Sequence, residues 1–243
     1  MTRASAVWHP FTQHGLAEPI PEAVHAEGAI IRTADGRRVI DAISSWWVTT
    51  HGHRHPRIMA AIRAATEQLD QIIFAGWTHP AAEELAHGLV GLTGGRLPHV
   101  FYSDSGSTSV EVALKMALGY WNNRNAPRHH ILTLAHAYHG DTVGGMSVGE
   151  RGVFNAAYAP LLFEVGTLPF PDGDGAATLA ALEAACRTQA PAALLVEPLL
   201  LGAGGMRIFD AAVLAVMHAI CRQYGVLFIA DEVLTGWGRT GSL

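Results

Sequence analysis

Lysine is nearly absent from this sequence. Lys115 is the single one among 243 residues, and arginine supplies every other basic side chain. Any chemistry that needs a primary amine on a side chain therefore has one candidate. Cysteine is almost as scarce: Cys186 and Cys221 sit in apolar helical patterns and suggest neither a disulfide framework nor a metal site. No uncharged apolar run reaches the length that spans a bilayer. The start, Met1-Thr-Arg-Ala-Ser-Ala-Val-Trp8-His-Pro10, lacks the apolar core of a signal peptide. Runs of Lys or Arg are missing too, and the net charge is −5. That argues against a nucleic-acid or anionic-membrane surface. The 14 histidines are scattered without a His-Glu-x-x-His arrangement. Their densest cluster, His51-Gly-His53-Arg-His55, reads as polar loop content rather than a metal site.

What is present is a globular composition, 49% hydrophobic and 15% charged, with enough apolar residues for a sizeable core. The organising stretch is Val226-Leu-Phe-Ile-Ala230-Asp231-Glu232, followed by Gly236-Trp-Gly238-Arg239-Thr-Gly241. Five apolar residues in a row read as a strand buried on both faces, as in a parallel sheet. Asp231 then stands at its carboxyl end, where open α/β sheets bind ligands. A carboxylate there needs a partner. One that fits is a protonated heterocyclic nitrogen such as that of pyridoxal phosphate. The other reading is that Asp231 or Glu232 caps a turn or helix.

Residues 1–28 read as irregular, broken by Pro10, Pro19 and Pro21. Residues 29–33 and 38–43 flank Asp35-Gly36 as a β-hairpin. Residues 44–52 read as a loop or short strand. Pro56 opens a helix whose apolar face is Ile58, Ile62, Ala65, Leu69 and Ile72, and a second runs from Pro80 to about Leu92. Then the pattern alternates. Strands are expected at 100–102, 131–134, 192–197 and 226–230, and a strand or extended segment at 163–168. Helices are expected at 107–121, within 140–148, at 176–188, and from Asp210 as N-cap to Tyr224; a loop fills 169–175. Strands separated by helices predict βαβ units and a mainly parallel sheet.

Two further stretches carry candidate chemistry. In Ser103-Asp-Ser105-Gly106-Ser107-Thr108-Ser109, a strand runs through hydroxyl residues and glycine into a helix. Free N–H groups at such a helix start bind anions, so a phosphate can be held without lysine. A plain Ser/Thr N-cap with Glu111 in the early turns is the alternative. In His136-Ala-Tyr138-His139-Gly140-Asp141-Thr142, Tyr138 can stack on a planar ring and Asp141 can orient a neighbour. Alternatively Tyr138 is a core residue and Asp141 an N-cap. A phosphate cradle, a stacking ring and a carboxylate make the set a pyridoxal phosphate enzyme needs, apart from its lysine.

The chain resembles the class III, fold-type I aminotransferases. The resemblance is carried by Trp8-His-Pro10-Phe11-Thr-Gln, Ser44-Ser-Trp46-Trp47, Ser105-Gly106-Ser107, Glu111-x-Ala-Leu-Lys115, Tyr138-His-Gly-Asp141-Thr, Glu197-Pro198, Gly202-Ala-Gly204-Gly205-Met206, and Ile229-Ala-Asp231-Glu232 with Gly238-Arg239-Thr-Gly241. These stretches are collinear and cover nearly the full length. The resemblance implies an α/β fold: the fold-type I large domain, a mainly parallel sheet flanked by helices, with an N-terminal segment of the small domain. Residues 1–50 would be that segment, with its hairpin and substrate-pocket loop, and residues 51–243 a partial cofactor-binding large domain.

The implied cofactor is pyridoxal 5'-phosphate. Gly106 and Ser107 would bind its phosphate, Tyr138 would stack beside its ring and border the substrate pocket, and Asp231 would pair with its ring nitrogen. Trp46 would wall the pocket, and Asp141 and Arg239 would help organise it. Phe11 stands where relatives often carry Tyr, so a hydroxyl contact is lost there. The Trp pair and the Trp-His-Pro start point to members that transfer an amino group from S-adenosylmethionine to 8-amino-7-oxononanoate in biotin biosynthesis, giving 7,8-diaminononanoate. Ornithine and 4-aminobutyrate aminotransferases match these stretches less well. A cytoplasmic homodimer is implied, with small molecules as the other partners. The family's Schiff-base lysine lies beyond the Asp-Glu strand, whereas Lys115 falls on a helix. The expectation is a C-terminally truncated polypeptide, inactive in transamination alone and holding any cofactor non-covalently. The alternatives are a different class III omega-aminotransferase fragment, or a non-catalytic binding or dimerising scaffold.

Overall fold

A computed structural model describes residues 5–16 and 19–241. The chain divides into two compact units, residues 1–80 and 81–243.

In the first unit, β1 (Ala23–Glu27), β2 (Ile30–Thr33) and β3 (Arg38–Ile40) form an antiparallel sheet in chain order. The β2–β3 hairpin turns at Asp35-Gly36 as the sequence predicts, with Gly36 at φ +87°. The expected irregularity of residues 1–28 stops short of Ala23. Residues 23–27 pair with β2, matching Glu27 to Ile30 and Ala26 to Ile31, because the hairpin offers them a free edge. The segment expected as loop or strand contains a four-residue helical turn, α1 (Ser44–Trp47), whose residues all have positive φ. The Asp41 carboxylate explains this conformation: it accepts the Ser45 N–H at 2.9 Å and the Ser45 hydroxyl at 2.7 Å. Helix α2 (Pro56–Thr66) ends before Leu69 and Ile72. There the Thr66 hydroxyl bonds back to the Arg63 carbonyl and Gln68 N–H folds onto Ala65 O, which closes the last turn early.

The second unit carries α3 (Pro80–Leu92), α4 (Gly106–Asn123), β4 (Ile131–Leu134), α5 (Val143–Val148), β5 (Gly166–Leu168), α6 (Ala176–Gln189), β6 (Ala193–Val196), β7 (Leu200–Leu201), β8 (Arg207–Ile208), α7 (Ala211–Tyr224) and β9 (Leu227–Ala230). The main sheet has the order β5-β4-β6-β9, and all its pairings are parallel. Side chains of β4 and β6 alternate between two cores. Leu132, Leu134, Leu194 and Val196 pack with Leu182, Cys186, Val213, Met217 and Cys221 of α6 and α7. Ile131, Ala193 and Leu195 pack with Val110, Leu114, Ala117 and Trp121 of α4. Both faces being covered is why these strands are apolar apart from Thr133.

Two expectations fail here. Val100–Tyr102 is not a strand; Phe101 is exposed, and the Tyr102 hydroxyl donates to Ala82 O of α3 at 2.5 Å, so the segment answers to a helix rather than a ladder. The strand at 227–230 is half-buried rather than enclosed, since it lies at the sheet's edge among the described residues. The short antiparallel pair β7–β8 was not legible, each strand being two residues long.

The strand order places a switch point between β4 and β6. From β4 the chain goes on to β5 on one side, and from β6 to β9 on the other. The loops leaving such a pair of strands diverge at their carboxyl ends, the place where open α/β sheets bind ligands.

Candidate functional site at the carboxyl edge of the sheet

Four segments converge on that edge: the start of α4, the loop after β4, the loop after β6 and the turn after β9. Asp231 follows β9, and its N–H bonds to Val196 O at 2.8 Å, so the sheet itself places it. Its side chain is only 7% exposed. One carboxylate oxygen accepts from His139 Nδ1 at 2.7 Å; the other accepts the Val233 N–H at 3.1 Å. His139 is fully enclosed, and its Nε2 lies 3.4 Å from the Thr133 hydroxyl. A carboxylate has about four lone-pair sites, so Asp231 keeps capacity for one more donor. Asp231 thus stands at the carboxyl end of its strand, and its bond from Val233 N–H is the turn cap that the alternative reading expected.

The start of α4 is capped by Ser105, whose hydroxyl accepts Thr108 N–H, while Thr108 Oγ1 accepts Ser105 N–H. The cap therefore leaves Gly106 and Ser107 N–H free of protein acceptors among the described residues. Ser107 Oγ accepts the Asp141 N–H at 3.2 Å, which leaves its proton to donate. This start is pressed against the sheet edge. A Cβ on Gly106 would lie 3.0 Å from the Val233 side chain, and one on Gly140 would lie 2.2 Å from Ser107 Oγ. Only glycine permits the second approach; a side chain at Gly106 needs Val233 to give by a few tenths of an ångström. Contacts thus run without a break from Ser107 through Gly140 and His139 to Asp231.

Tyr138 stands between these groups. Its hydroxyl donates to Asp141 Oδ2 at 3.0 Å and its N–H to Glu197 Oε1 at 3.0 Å. Burial, then the hydrogen bond to Asp141, pushes its phenol up to about 12. Asp141 is not the N-cap of α5; Thr142 holds that place through Gly145 N–H. Arg239 is exposed in the turns after Asp231. The glycine spacing of Gly236-Trp-Gly238-Arg-Thr-Gly241 matches G-x-G-x-x-G, and its described residues lie in turns. Lys115 is exposed on α4, nine residues from its start, or about 13 Å along the axis.

In the first unit, Phe11 and Trp46 stack on each other, with ring centroids 5.7 Å apart and planes 11° from parallel. Asp41, which holds the Trp46 turn, also accepts from His53 Nε2 at 2.8 Å. The bonds from Ser45, then that from His53, lower its carboxyl to about 2.

Sequence reasoning assigned no role to His139 or Glu197, and placed Glu111 only in the early turns of a capped helix. Glu197 had a usable signal, a carboxylate directly after an apolar strand, the same mark that singled out Asp231. It is 5% exposed and its second oxygen accepts Gly202 N–H at 2.9 Å. Burial raises its pKa against the lowering effect of those two N–H bonds. Glu111 accepts Gly144 N–H at 2.6 Å and ties α4 to the start of α5. Nothing in its spacing announced that contact.

The edge suits a ligand anionic at one end and a hydrogen-bond donor at the other. Gly106, Ser107 and the Ser107 hydroxyl meet the first, and Asp231 the second. Known proteins share this chain's sequence and fold. The profile of the family Aminotransferase class-III matches residues 14–243. An adenosylmethionine-8-amino-7-oxononanoate aminotransferase of Synechococcus elongatus is 49% identical over 245 residues, covering 97% of this chain and 58% of the relative. One of Corynebacterium glutamicum is 39% identical, covering 98% and 57%. A solved enzyme of that name from Methanocaldococcus jannaschii superposes with a TM-score of 0.91 at 30% identity, over 98% of this chain and 55% of its own. A PLP-bound amine transaminase from an uncultivated Pseudomonas species gives 0.86 at 32% identity, over 99% and 59%. This chain therefore spans well under two thirds of the length of the proteins it matches.

Proposed function

The chain belongs to the class-III aminotransferase family, and from that premise we propose that it forms the cofactor-binding part of a pyridoxal phosphate aminotransferase that converts 8-amino-7-oxononanoate to 7,8-diaminononanoate with S-adenosylmethionine as amino donor. The observation that carries this reading is the unbroken path from Ser107 through Gly140 and His139 to Asp231, which puts the anion-binding helix start and the buried carboxylate on one sheet edge.

When bound, pyridoxal phosphate supplies the electron sink that makes amino transfer possible. The residues of this chain hold it for that task. Gly106 and Ser107 N–H, with the Ser107 hydroxyl, bind the phosphate at the start of α4. Asp231 accepts the proton-bearing ring nitrogen and keeps the proton there, while His139 fixes the carboxylate and excludes water from it. Tyr138 stacks beside the ring, and Asp141 anchors the Tyr138 hydroxyl. In the first unit the stacked rings of Trp46 and Phe11 are offered as substrate contacts, Phe11 without a hydroxyl to give; in the second, Arg239 helps organise the site. Lys115 takes no part as Schiff-base anchor or proton shuttle, being exposed on α4. Residues 1–243 alone thus hold the cofactor non-covalently and do not transaminate. The complete enzyme works as a homodimer in the cytoplasm. No helix among the described residues is long and apolar enough to cross a membrane.

Titration of the purified chain with pyridoxal phosphate tests the binding role, followed by absorbance and by borohydride reduction with mass spectrometry. Saturable binding without a reduced adduct is expected, and weakened by about tenfold or more in Asp231→Asn, since a charge-assisted bond is lost. An adduct on Lys115 with turnover overturns it. A chimera continuing these residues with the remaining length of the Synechococcus relative tests the substrates. It should use S-adenosylmethionine in preference to ornithine or 4-aminobutyrate; the reverse order favours another class III transaminase.

A further inference from the structure

Glu197 is a buried carboxylate that the chemistry above does not use. It directly follows β6, opposite the loop after β4 that carries Tyr138. Its two oxygens reach across: one accepts the Tyr138 N–H at 3.0 Å and the other the Gly202 N–H at 2.9 Å. Two diverging loops are therefore clasped by one side chain at the switch point of the sheet. Tight packing surrounds the clasp. A Cβ on Gly202 would lie 2.0 Å from Leu234, and one on Gly204 would lie 2.1 Å from His136 O.

Tyr138 is consequently tethered at both ends. Glu197 holds its backbone, and Asp141 holds its hydroxyl at 3.0 Å while bonding through its own N–H to Ser107 Oγ. We propose that Glu197 is a positioning residue for cofactor binding: it sets where the Tyr138 ring stands between β6 and the anion-binding start of α4. The inference rests on the cofactor role proposed for this edge. A carboxylate suits the task because it accepts on both oxygens at once. Glutamine presents an acceptor to one N–H and two donors to the other, so it can keep one bond and must break its partner.

The test is a double-mutant cycle on the purified chain, using pyridoxal phosphate as the probe. Its readouts are the dissociation constant and the induced circular dichroism of the bound cofactor. Glu197→Gln should weaken binding by about tenfold and diminish the induced dichroism, with the melting curve still cooperative. In a Tyr138→Ala background the same change should have little further effect, because Glu197 acts through Tyr138. Equal losses in the two backgrounds overturn the proposal, as does Glu197→Gln with unchanged affinity and dichroism. Should Glu197→Gln fail to fold, Glu197→Asp, with its charge kept and its reach shortened, is read in the same cycle. Failure of the cofactor reading looks different: the unmutated chain then binds no pyridoxal phosphate, and this inference falls with it. Intact binding sensitive to Asp231→Asn, together with an additive cycle, overturns this inference alone.

Discussion

Gly140→Ala perturbs the site without removing a polar group. Gly140 has φ +107° and packs under Ser107, where a Cβ would lie 2.2 Å from Oγ, 2.7 Å from Cβ and 2.9 Å from Cα. The last of these is backbone, so rotating the Ser107 side chain cannot relieve the clash. Forcing a residue other than glycine into that backbone region costs about 1–3 kcal/mol, and overpacking adds about 1–3 kcal/mol. A total of about 2–6 kcal/mol lowers Tm by roughly 4–24 °C in a domain of this size. The clash also pushes the start of α4 off the sheet edge and breaks the bond from Asp141 N–H to Ser107 Oγ. Affinity for pyridoxal phosphate should fall with Tm. Gly119→Ala is the control. Nothing lies within 4 Å of a Cβ there, inside α4, so alanine should stabilise by about 0.5–1 kcal/mol. Thermal melts followed by circular dichroism and a cofactor titration read both variants. A Gly140→Ala protein that melts with the parent and binds as well refutes the close-approach argument.

Met217 is fully buried between α7 and the sheet, and Met217→Ala should cost about 2–5 kcal/mol by leaving a cavity, seen as a lower urea midpoint with unchanged slope. Tyr138 should ionise near its raised value of about 12, visible as a phenolate absorbance step that Tyr138→Phe removes. The unfolded chain releases that proton near pH 10. The native state therefore binds more protons between pH 10 and 12, and this contribution to stability is whole below pH 10 and fades as pH rises through about 12.

Much of the second unit was legible because its elements obey one strong signal each. The strand at 193–196 is a bare apolar run, and α7 carries both its period and its Asp210 cap, which accepts Ala212 N–H at 2.7 Å. Asp231 stood out as a charge after such a run. The misses have other causes. Ala23–Glu27 is a strand because a hairpin lies beside it, and Val100–Tyr102 is none because it meets a helix; pairing partners are not written locally. The left-handed Ser44–Trp47 turn follows from where Asp41 and His53 reach. His139 acts on Asp231, 92 residues away, and Glu197 on Tyr138, 59 residues away, which spacing within a motif cannot reveal.

The most direct measurement is a crystal structure of the chain soaked with pyridoxal phosphate. The account predicts phosphate density on the N–H groups of Gly106 and Ser107, with the ring nitrogen within hydrogen-bond distance of Asp231 and the Tyr138 ring alongside. Density that leaves Asp231 bonded only to His139 and Val233, with the cofactor elsewhere on the surface, contradicts it.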